Sequence, residues 1–228
     1  MAQQPRRALA PLPPDDAAHR RLVADRGLLL ERVSAGLAHE GKNPLHNMML
    51  HVQLMAEKIA DPGQGGSPVS RHLASLREGI AKVDGLLRAF GEFANPEHLA
   101  PDLGAALSRS LQLFGYEARR FSVEVRHEGI GAAVVASDPR LVNDLVAHLF
   151  VAAIELARDG GTVHLALEST PREAKLELRT EGGLPRRDEA QPHLDAARLL
   201  AEAAAAELTV DSPAAPGARL SLSFVHPR

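Results

Sequence analysis

The stretch that decides the fold is His39-Glu40-Gly41-Lys42-Asn43-Pro44-Leu45, which lies inside a long amphipathic helical pattern. His39 comes two positions after Leu37, about 200° around a helix of 3.6 residues per turn, and therefore points away from the apolar face. The imidazole is predicted to face solvent, with Lys42, Asn43 and His46 on the same face of the helix. The apolar face follows alternating steps of three and four residues: Leu30, Val33, Leu37, Gly41, Pro44, Met48, Val52, Met55 and Ile59.

Pro44 is unusual inside such a pattern. A proline lacks a backbone N–H, and its ring collides with the carbonyl four residues earlier, at a cost of about 3 kcal/mol in a helix interior. That carbonyl belongs to Glu40. Two interpretations stay open at this point: a kinked helix that keeps a particular geometry beside the polar cluster, or a loop that begins at Asn43.

This heptapeptide resembles the phosphoacceptor box of bacterial two-component sensor histidine kinases, where a His-Glu-x-Lys-Asn-Pro-Leu run lies on the first helix of a dimerisation hairpin. The resemblance implies that His39 is phosphorylated and that Glu40 takes a proton from its ring. It implies that Asn43 orients a water for attack on a partner's aspartyl phosphate. A neutral imidazole is a usable nucleophile, and an adjacent carboxylate can orient it. A zinc site of the His-Glu-x-x-His type is disfavoured because Asn43 occupies the second histidine position.

A second helix with a stricter repeat follows the box. Residues 61–68 break the first helix, and Ser67 with Pro68 offers a cap and a first turn for the next one. Two such helices cannot bury both apolar stripes alone, so we predict a homodimer in which two hairpins form a four-helix bundle. The alternative is that the stripes pack on the rest of the same chain. The second stripe has the spacing of coiled-coil packing and ends before Asn95-Pro96: Val69, Leu73, Leu76, Ile80, Val83, Leu87, Phe90 and Ala94.

The remainder, from about Leu99 to His226, alternates helical and strand patterns in one α/β unit. Asp138, followed by Pro139, is predicted to cap the central helix. The predicted helices cover 102–118, 138–158 and 193–206, and the predicted strands cover 121–126, 132–136, 162–167, 174–180, 207–211 and 218–225.

This order of elements resembles the ATP-binding domain that follows the hairpin in histidine kinases. We therefore predict a flexible tail over 1–19, a dimerisation and phosphoacceptor hairpin over 20–96, and a degenerate ATP-binding-like domain over 97–228. The predicted fold class is α + α/β: a dimeric helical hairpin followed by a degenerate histidine-kinase-type ATPase α/β sandwich.

The chain departs from the family at the residues that bind nucleotide. Ala152 stands where the family has an asparagine that holds magnesium, and Thr180 stands where an aspartate reads adenine. Only residues 186–192 precede the next predicted helix, so we predict that the mobile lid and its glycine-rich phosphate turn are deleted. Glu155 or Glu181 remains open as a substitute ligand. Because phosphoryl transfer from ATP depends on positioning and charge neutralisation, we expect no ATP binding and no bound cofactor.

The first functional hypothesis is a histidine phosphotransferase, similar to the dimeric phosphotransferases that evolved from kinases. His39 would accept a phosphoryl group from the aspartyl phosphate of one response-regulator receiver domain and pass it to another, with the receiver supplying Mg²⁺. Arg32, Lys42 and His46 are candidates for steering the acidic receiver. An upstream hybrid histidine kinase is a further candidate partner. The alternatives are a receiver-directed phosphatase, a non-catalytic pseudokinase scaffold and a divergent ATP-dependent sensor kinase.

The composition limits the functions and the location that can be expected for the protein. A net charge of −3 over 228 residues gives no general nucleic-acid signal, and the absence of cysteine excludes disulfides and thiol chemistry. No apolar run approaches the roughly twenty residues that span a bilayer, and the first residues lack a signal-peptide core. We expect a cytoplasmic protein that receives its signal through a partner, because no input domain fits into the first twenty residues.

Overall fold

The structure is a computed structural model and describes residues 17–60, 69–211 and 217–225. Its first part is a hairpin of two helices, α1 (Ala17–Ala60) and α2 (Val69–Ala94). The fold class predicted from the sequence, a helical hairpin followed by an α/β sandwich, is confirmed. After a helical turn at Pro96–His98 the elements are α3 (Leu103–Arg120), β1 (Glu124–His127), α4 (Pro139–Leu156), β2 (Thr162–Ser169), β3 (Glu173–Glu181), α5 (Arg187–Ala203), β4 (Glu207–Asp211) and β5 (Gly217–Val225).

The first helix continues through its proline. α1 includes Pro44, so the alternative of a loop beginning at Asn43 is wrong. The predicted apolar stripe is buried at Val33 and Pro44, whereas Val52 is exposed. The side chain of Ile59, most of the predicted tail, and the predicted helix break with Ser67 and Pro68 lie outside the described residues. In the part of the chain that is described, no helix has the length and apolar character needed to cross a bilayer.

The five strands form one sheet in the order β1-β2-β3-β5-β4. β1 pairs with β2 in parallel, and the remaining neighbours are antiparallel. One face of the sheet is buried against the helices, while charged side chains such as Lys175 and Arg219 lie on the other face, as in a two-layer α/β sandwich. Alternating residues of β3 and β5 supply the buried face: Ala174, Leu176, Leu178, Ala218, Leu220, Leu222 and Phe224.

Three predicted elements differ from the structure by three residues or more. The strand predicted over 121–126 is β1, which begins only at Glu124. The predicted strand over 132–136 is only an isolated bridge between Asp102 and Val134. The Asp102 carboxylate caps α3 and also accepts the N–H of Ala133, which holds this segment against the helix start instead of in the sheet. The helix predicted over 193–206 begins earlier, at Arg187, because Asp188 and Glu189 favour a helix N-terminus.

α4 is the centre of the domain, because every residue from Val142 to Leu156 is buried. Asp138 caps its start by accepting the N–H of Arg140, as predicted. A helix covered on all sides is apolar all round, and the polar side chains it does carry need partners. Asp144 and Glu155 find theirs on α1, so α4 joins the hairpin to the α/β domain.

Candidate functional site

The heptapeptide lies where α1 passes α3. His39 is exposed, and its ring stacks on the ring of Tyr116 with centroids 4.1 Å apart and planes at 27°. The carboxylate of Glu40 pairs with Nη2 of Arg119 at 2.7 Å, and only 13% of the Glu40 side chain is exposed. Two side chains of α3 therefore contact the first two residues of the heptapeptide: Tyr116 contacts His39, and Arg119 contacts Glu40.

The other polar residues of the box lie on one accessible surface. Lys42, Asn43 and His46 are exposed, as the helical spacing predicts. Lys42 and His46 also line an open groove of about 720 Å³ between α1 and α2. The remaining walls of this groove, which we call the hairpin groove, are apolar or small: Leu37, Ala38, Gly41, Leu45, Met49, Val83, Leu86 and Leu87.

Arg32, the third residue expected to steer a partner, forms ion pairs with two other helices, and its steering role stays a prediction. Its guanidinium pairs with Glu117 at 3.2 Å and with Glu155 at 3.0 Å, and 28% of the side chain is exposed. Burial raises the pKa of Glu117 above its ordinary value, and the positive charge of Arg32 opposes that rise. Arg32 thus ties α1 to α3 and α4.

Part of the hairpin packs within the chain and part does not. On α2, Leu86, Ala89 and Phe93 are buried, and Phe93 meets Phe114 of α3 edge to face with centroids 6.2 Å apart. Several positions of the predicted coiled-coil stripe remain exposed in the single chain: Val69, Leu73, Ile80 and Leu87. The intramolecular alternative therefore accounts for one side of α2 and leaves these four positions of the stripe exposed.

The positions where the resemblance to kinases implies nucleotide ligands are engaged in internal contacts. Ala152 is fully buried in α4, and the Thr180 hydroxyl accepts the backbone N–H of Ala218 at 2.8 Å. The carboxylate of Glu155 is held by Arg32 and by Arg158, each at 3.0 Å. Glu181 lies 77% exposed beside His164. Both carboxylates considered as substitute ligands thus have other partners.

The glycine pair after β3 closes onto α4. Gly182 and Gly183 adopt positive φ of 68° and 74°, and a side chain at Gly183 would lie 2.5 Å from two carbonyl oxygens at the end of α4. The N–H groups of Leu184 and Arg186 donate to the carbonyls of Arg158 and Glu155. The chain then enters α5 directly, so five residues, 182–186, connect β3 to α5.

α5 lies directly against α4 through a buried pair of histidines. Nδ1 of His148 and Nδ1 of His193 are 2.9 Å apart, and both side chains are buried. Burial lowers the pKa of His148 to about 3 and that of His193 to about 4, so both rings are neutral at neutral pH. Among the residues that the structure describes, no group of three or more His, Asp or Glu side chains could hold a metal ion.

Tyr116 and Arg119 were not identified from the sequence. Their spacing of three residues puts them on one face of α3, and Tyr116 is the only tyrosine of the chain. The spacing of the two residues and the single tyrosine were visible in the sequence, but neither shows that His39 and Glu40 are the partners of Tyr116 and Arg119. That pairing depends on which face of α3 meets α1.

No protein-family model matches the chain. Among curated proteins it is similar to the sensor protein CopS of Pseudomonas syringae pv. tomato, with 25% identity over 162 residues that cover 69% of this chain and 33% of CopS. It is also similar to the sensor histidine kinase ZraS of Escherichia coli (strain K12), with 21% identity over 157 residues that cover 67% of this chain and 33% of ZraS. The chain therefore spans about a third of the length of these relatives.

Among solved structures, a bacterial phosphotransferase has 16% sequence identity and a TM-score of 0.47, over 85% of this chain and 95% of that one. A TM-score below 0.5 does not establish a common fold. The family relation depends instead on the curated relatives and on the sequence itself. The heptapeptide on an exposed helix face, the hairpin before an α/β sandwich, and the similarity to a sensor protein and a sensor histidine kinase together support a two-component histidine kinase type for this chain.

Proposed function

We propose that this chain is a histidine phosphotransferase that moves phosphoryl groups between response-regulator receiver domains through His39. The observation that carries the proposal is a contrast between two parts of the chain. The acceptor histidine is exposed beside an open groove, whereas the residues at the nucleotide-binding positions are buried or bonded elsewhere.

The state of the α/β domain supports transfer without ATP. A kinase must hold magnesium and the phosphates of ATP, because positioning and charge neutralisation supply nearly all of its catalysis. Ala152 has no metal-binding side-chain atom, and the residues that follow the Gly182-Gly183 turn are hydrogen-bonded to the end of α4. A receiver domain carries its own phosphoryl group and its own Mg²⁺, so phosphotransfer with a receiver requires neither.

The surface around His39 suits such a partner. The aspartyl phosphate of a receiver must approach the imidazole in line, and His39 is accessible for that approach. Lys42 and His46 add positive or hydrogen-bonding groups next to it. In the transfer step, an unprotonated ring nitrogen attacks phosphorus, the acyl O–P bond breaks, and the receiver's carboxylate leaves.

A receiver-directed phosphatase is the second candidate, and the position of Asn43 favours it. Asn43 is exposed one turn after His39 on the same face, where its amide could orient a water instead of the imidazole acting as nucleophile. The two functions share a docking surface but differ in the residue they need. His39 is essential to the transferase, whereas Asn43 is essential to the phosphatase.

The purified protein should be incubated with radiolabelled Mg-ATP and, separately, with a panel of phosphorylated receivers. We expect acid-labile label on the wild-type protein from a receiver only, and loss of that label in His39→Ala. His98→Ala is the matched control, because His98 is an exposed histidine outside α1. Label from ATP would identify a working kinase. Receiver dephosphorylation that needs Asn43 and leaves no label would identify the phosphatase.

A further inference from the structure

α3 approaches α1 closely beside the candidate phosphoacceptor. Gly36 is buried at this crossing, and a Cβ atom placed on it would lie 3.3 Å from the carbonyl oxygen of Leu113. A glycine at this position lets the two backbones approach. The contact of His39 with Tyr116 follows one turn later on both helices, since 36 to 39 is three residues and 113 to 116 is three. The contact is thus set by backbone packing.

The stacked ring of Tyr116 restricts the orientation of His39. The two rings are stacked, and such a contact stabilises one arrangement of the pair. Tyr116 is itself half-buried, so its ring is held by its surroundings. One face of the imidazole is covered, and the exposed remainder is left for a phosphodonor. Holding a nucleophile in the attacking geometry removes rotational freedom before the reaction and so raises its rate.

Arg119 forms an ion pair with Glu40, the second residue of the heptapeptide. Its guanidinium, 63% exposed, reaches the nearly buried carboxylate of Glu40 at 2.7 Å. A charge-assisted hydrogen bond of this length fixes the carboxylate in one position. Glu40 is the neighbour of His39 in the chain, so Arg119 determines where the negative charge lies when the ring becomes positive on phosphorylation.

We propose that α3 is part of the phosphoacceptor site, with Tyr116 as the positioning residue of His39 and Arg119 as the positioning residue of Glu40. The α/β domain would then contribute to phosphotransfer by holding the acceptor. This inference rests on the proposed function for its biological meaning, but the positioning itself can be measured without a receiver. Phosphoramidate is a suitable probe: an imidazole nitrogen attacks its phosphorus, the P–N bond to ammonia breaks, ammonia leaves, and the imidazole proton is released.

The experiment follows phosphorylation of His39 by potassium phosphoramidate in the full chain, with mass spectrometry resolving His39 from His46. The ratio of the two rates in one sample reports a local effect, because both histidines are exposed on α1. We expect Tyr116→Leu, which keeps an apolar side chain but loses the ring, to lower this ratio about two- to tenfold. Tyr116→Phe should restore it to within twofold of the wild type.

Arg119→Ala should also lower the ratio of the His39 rate to the His46 rate. Arg120→Ala is the matched control and should leave this ratio unchanged, because Arg120 is an exposed arginine of α3 that contacts Phe121. An unchanged ratio in both Tyr116→Leu and Arg119→Ala would overturn the inference. If His39 reacts with phosphoramidate in a Tyr116-dependent way but with no receiver, the positioning role stands and the phosphotransferase proposal fails. If receivers label wild type and Tyr116→Leu at the same rate, the phosphotransferase stands and the positioning role fails.

Discussion

Replacing Arg32 by methionine should weaken the attachment of the hairpin to the α/β domain. The change keeps most of the apolar stem and removes the guanidinium that pairs with Glu117 and Glu155. Glu155 is 1% exposed, so its carboxylate cannot regain water when the partner is lost. Removing one member of a fully buried ion pair costs about 3–5 kcal/mol.

Two features of the structure reduce that figure. Arg158 remains 3.0 Å from Glu155 and still neutralises it, and Arg32 is itself 28% exposed. At Glu117, loss of Arg32 removes the positive charge that opposes the rise in pKa caused by burial. We therefore expect a loss of about 2 kcal/mol in the free energy of unfolding, between the value for a buried pair and that for a surface pair.

Urea-induced unfolding, followed by circular dichroism at one protein concentration, measures this loss. Arg88→Met is the matched control, because Arg88 pairs with Asp84 across one helical turn while both side chains are about two-thirds exposed. That control should lose about 0.5 kcal/mol or less. The argument is refuted if Arg32→Met loses no more than Arg88→Met. It is also refuted if a double-mutant cycle with Glu155→Gln gives additive losses.

Three further predictions concern the turn, the buried histidines and the hairpin surface. Gly183→Ala should lower the free energy of unfolding by at least about 1 kcal/mol in thermal or urea unfolding, because its φ is positive and two carbonyl oxygens occupy the space that a Cβ atom would need. Gly27→Ala, in the interior of α1 where a Cβ atom would contact nothing within 4 Å, should stabilise the protein slightly. The pKa values of His148 and His193 lie below 6.5 in the folded state, so the unfolded state binds more protons below pH 6.5 and the free energy of unfolding falls as the pH drops. Each histidine should cost about 1.5 kcal/mol between pH 6.5 and 5. The double variant His148→Leu/His193→Leu should flatten that dependence in urea titrations at several pH values. We expect the wild type to sediment as a dimer and the double variant Ile80→Glu/Leu87→Glu to sediment as a monomer, because both side chains are exposed on the stripe of α2. A monomeric wild type would contradict the predicted bundle.

The elements of the α/β domain were largely predictable from local patterns. The helix capped by Asp138 begins where predicted, and the strand over 207–211 has the predicted bounds. The segment 132–136 was mispredicted because its apolar residues pack under α3, with Asp102 bonding Ala133, and do not pair along an edge strand. A short apolar run has the same local pattern in both settings.

The candidate site was predictable only in part. Helical periodicity placed His39, Lys42, Asn43 and His46 on one exposed face, because side-chain direction along a helix depends only on position in the chain. The ion pairs of Arg32 with Glu117 and Glu155 could not be predicted in this way. An arginine on a polar face has the same sequence pattern whether it meets solvent or a buried glutamate from a distant helix.

The sequence alone determined the hairpin, the order of the α/β elements and the outward direction of His39. These are properties of residue type and of spacing along one segment. The tertiary structure decided that Tyr116 covers one face of His39, that Arg119 holds Glu40, and that His148 meets His193 between α4 and α5. Such pairs form between segments far apart in the chain, and they depend on which faces the helices turn toward each other when the common core is packed.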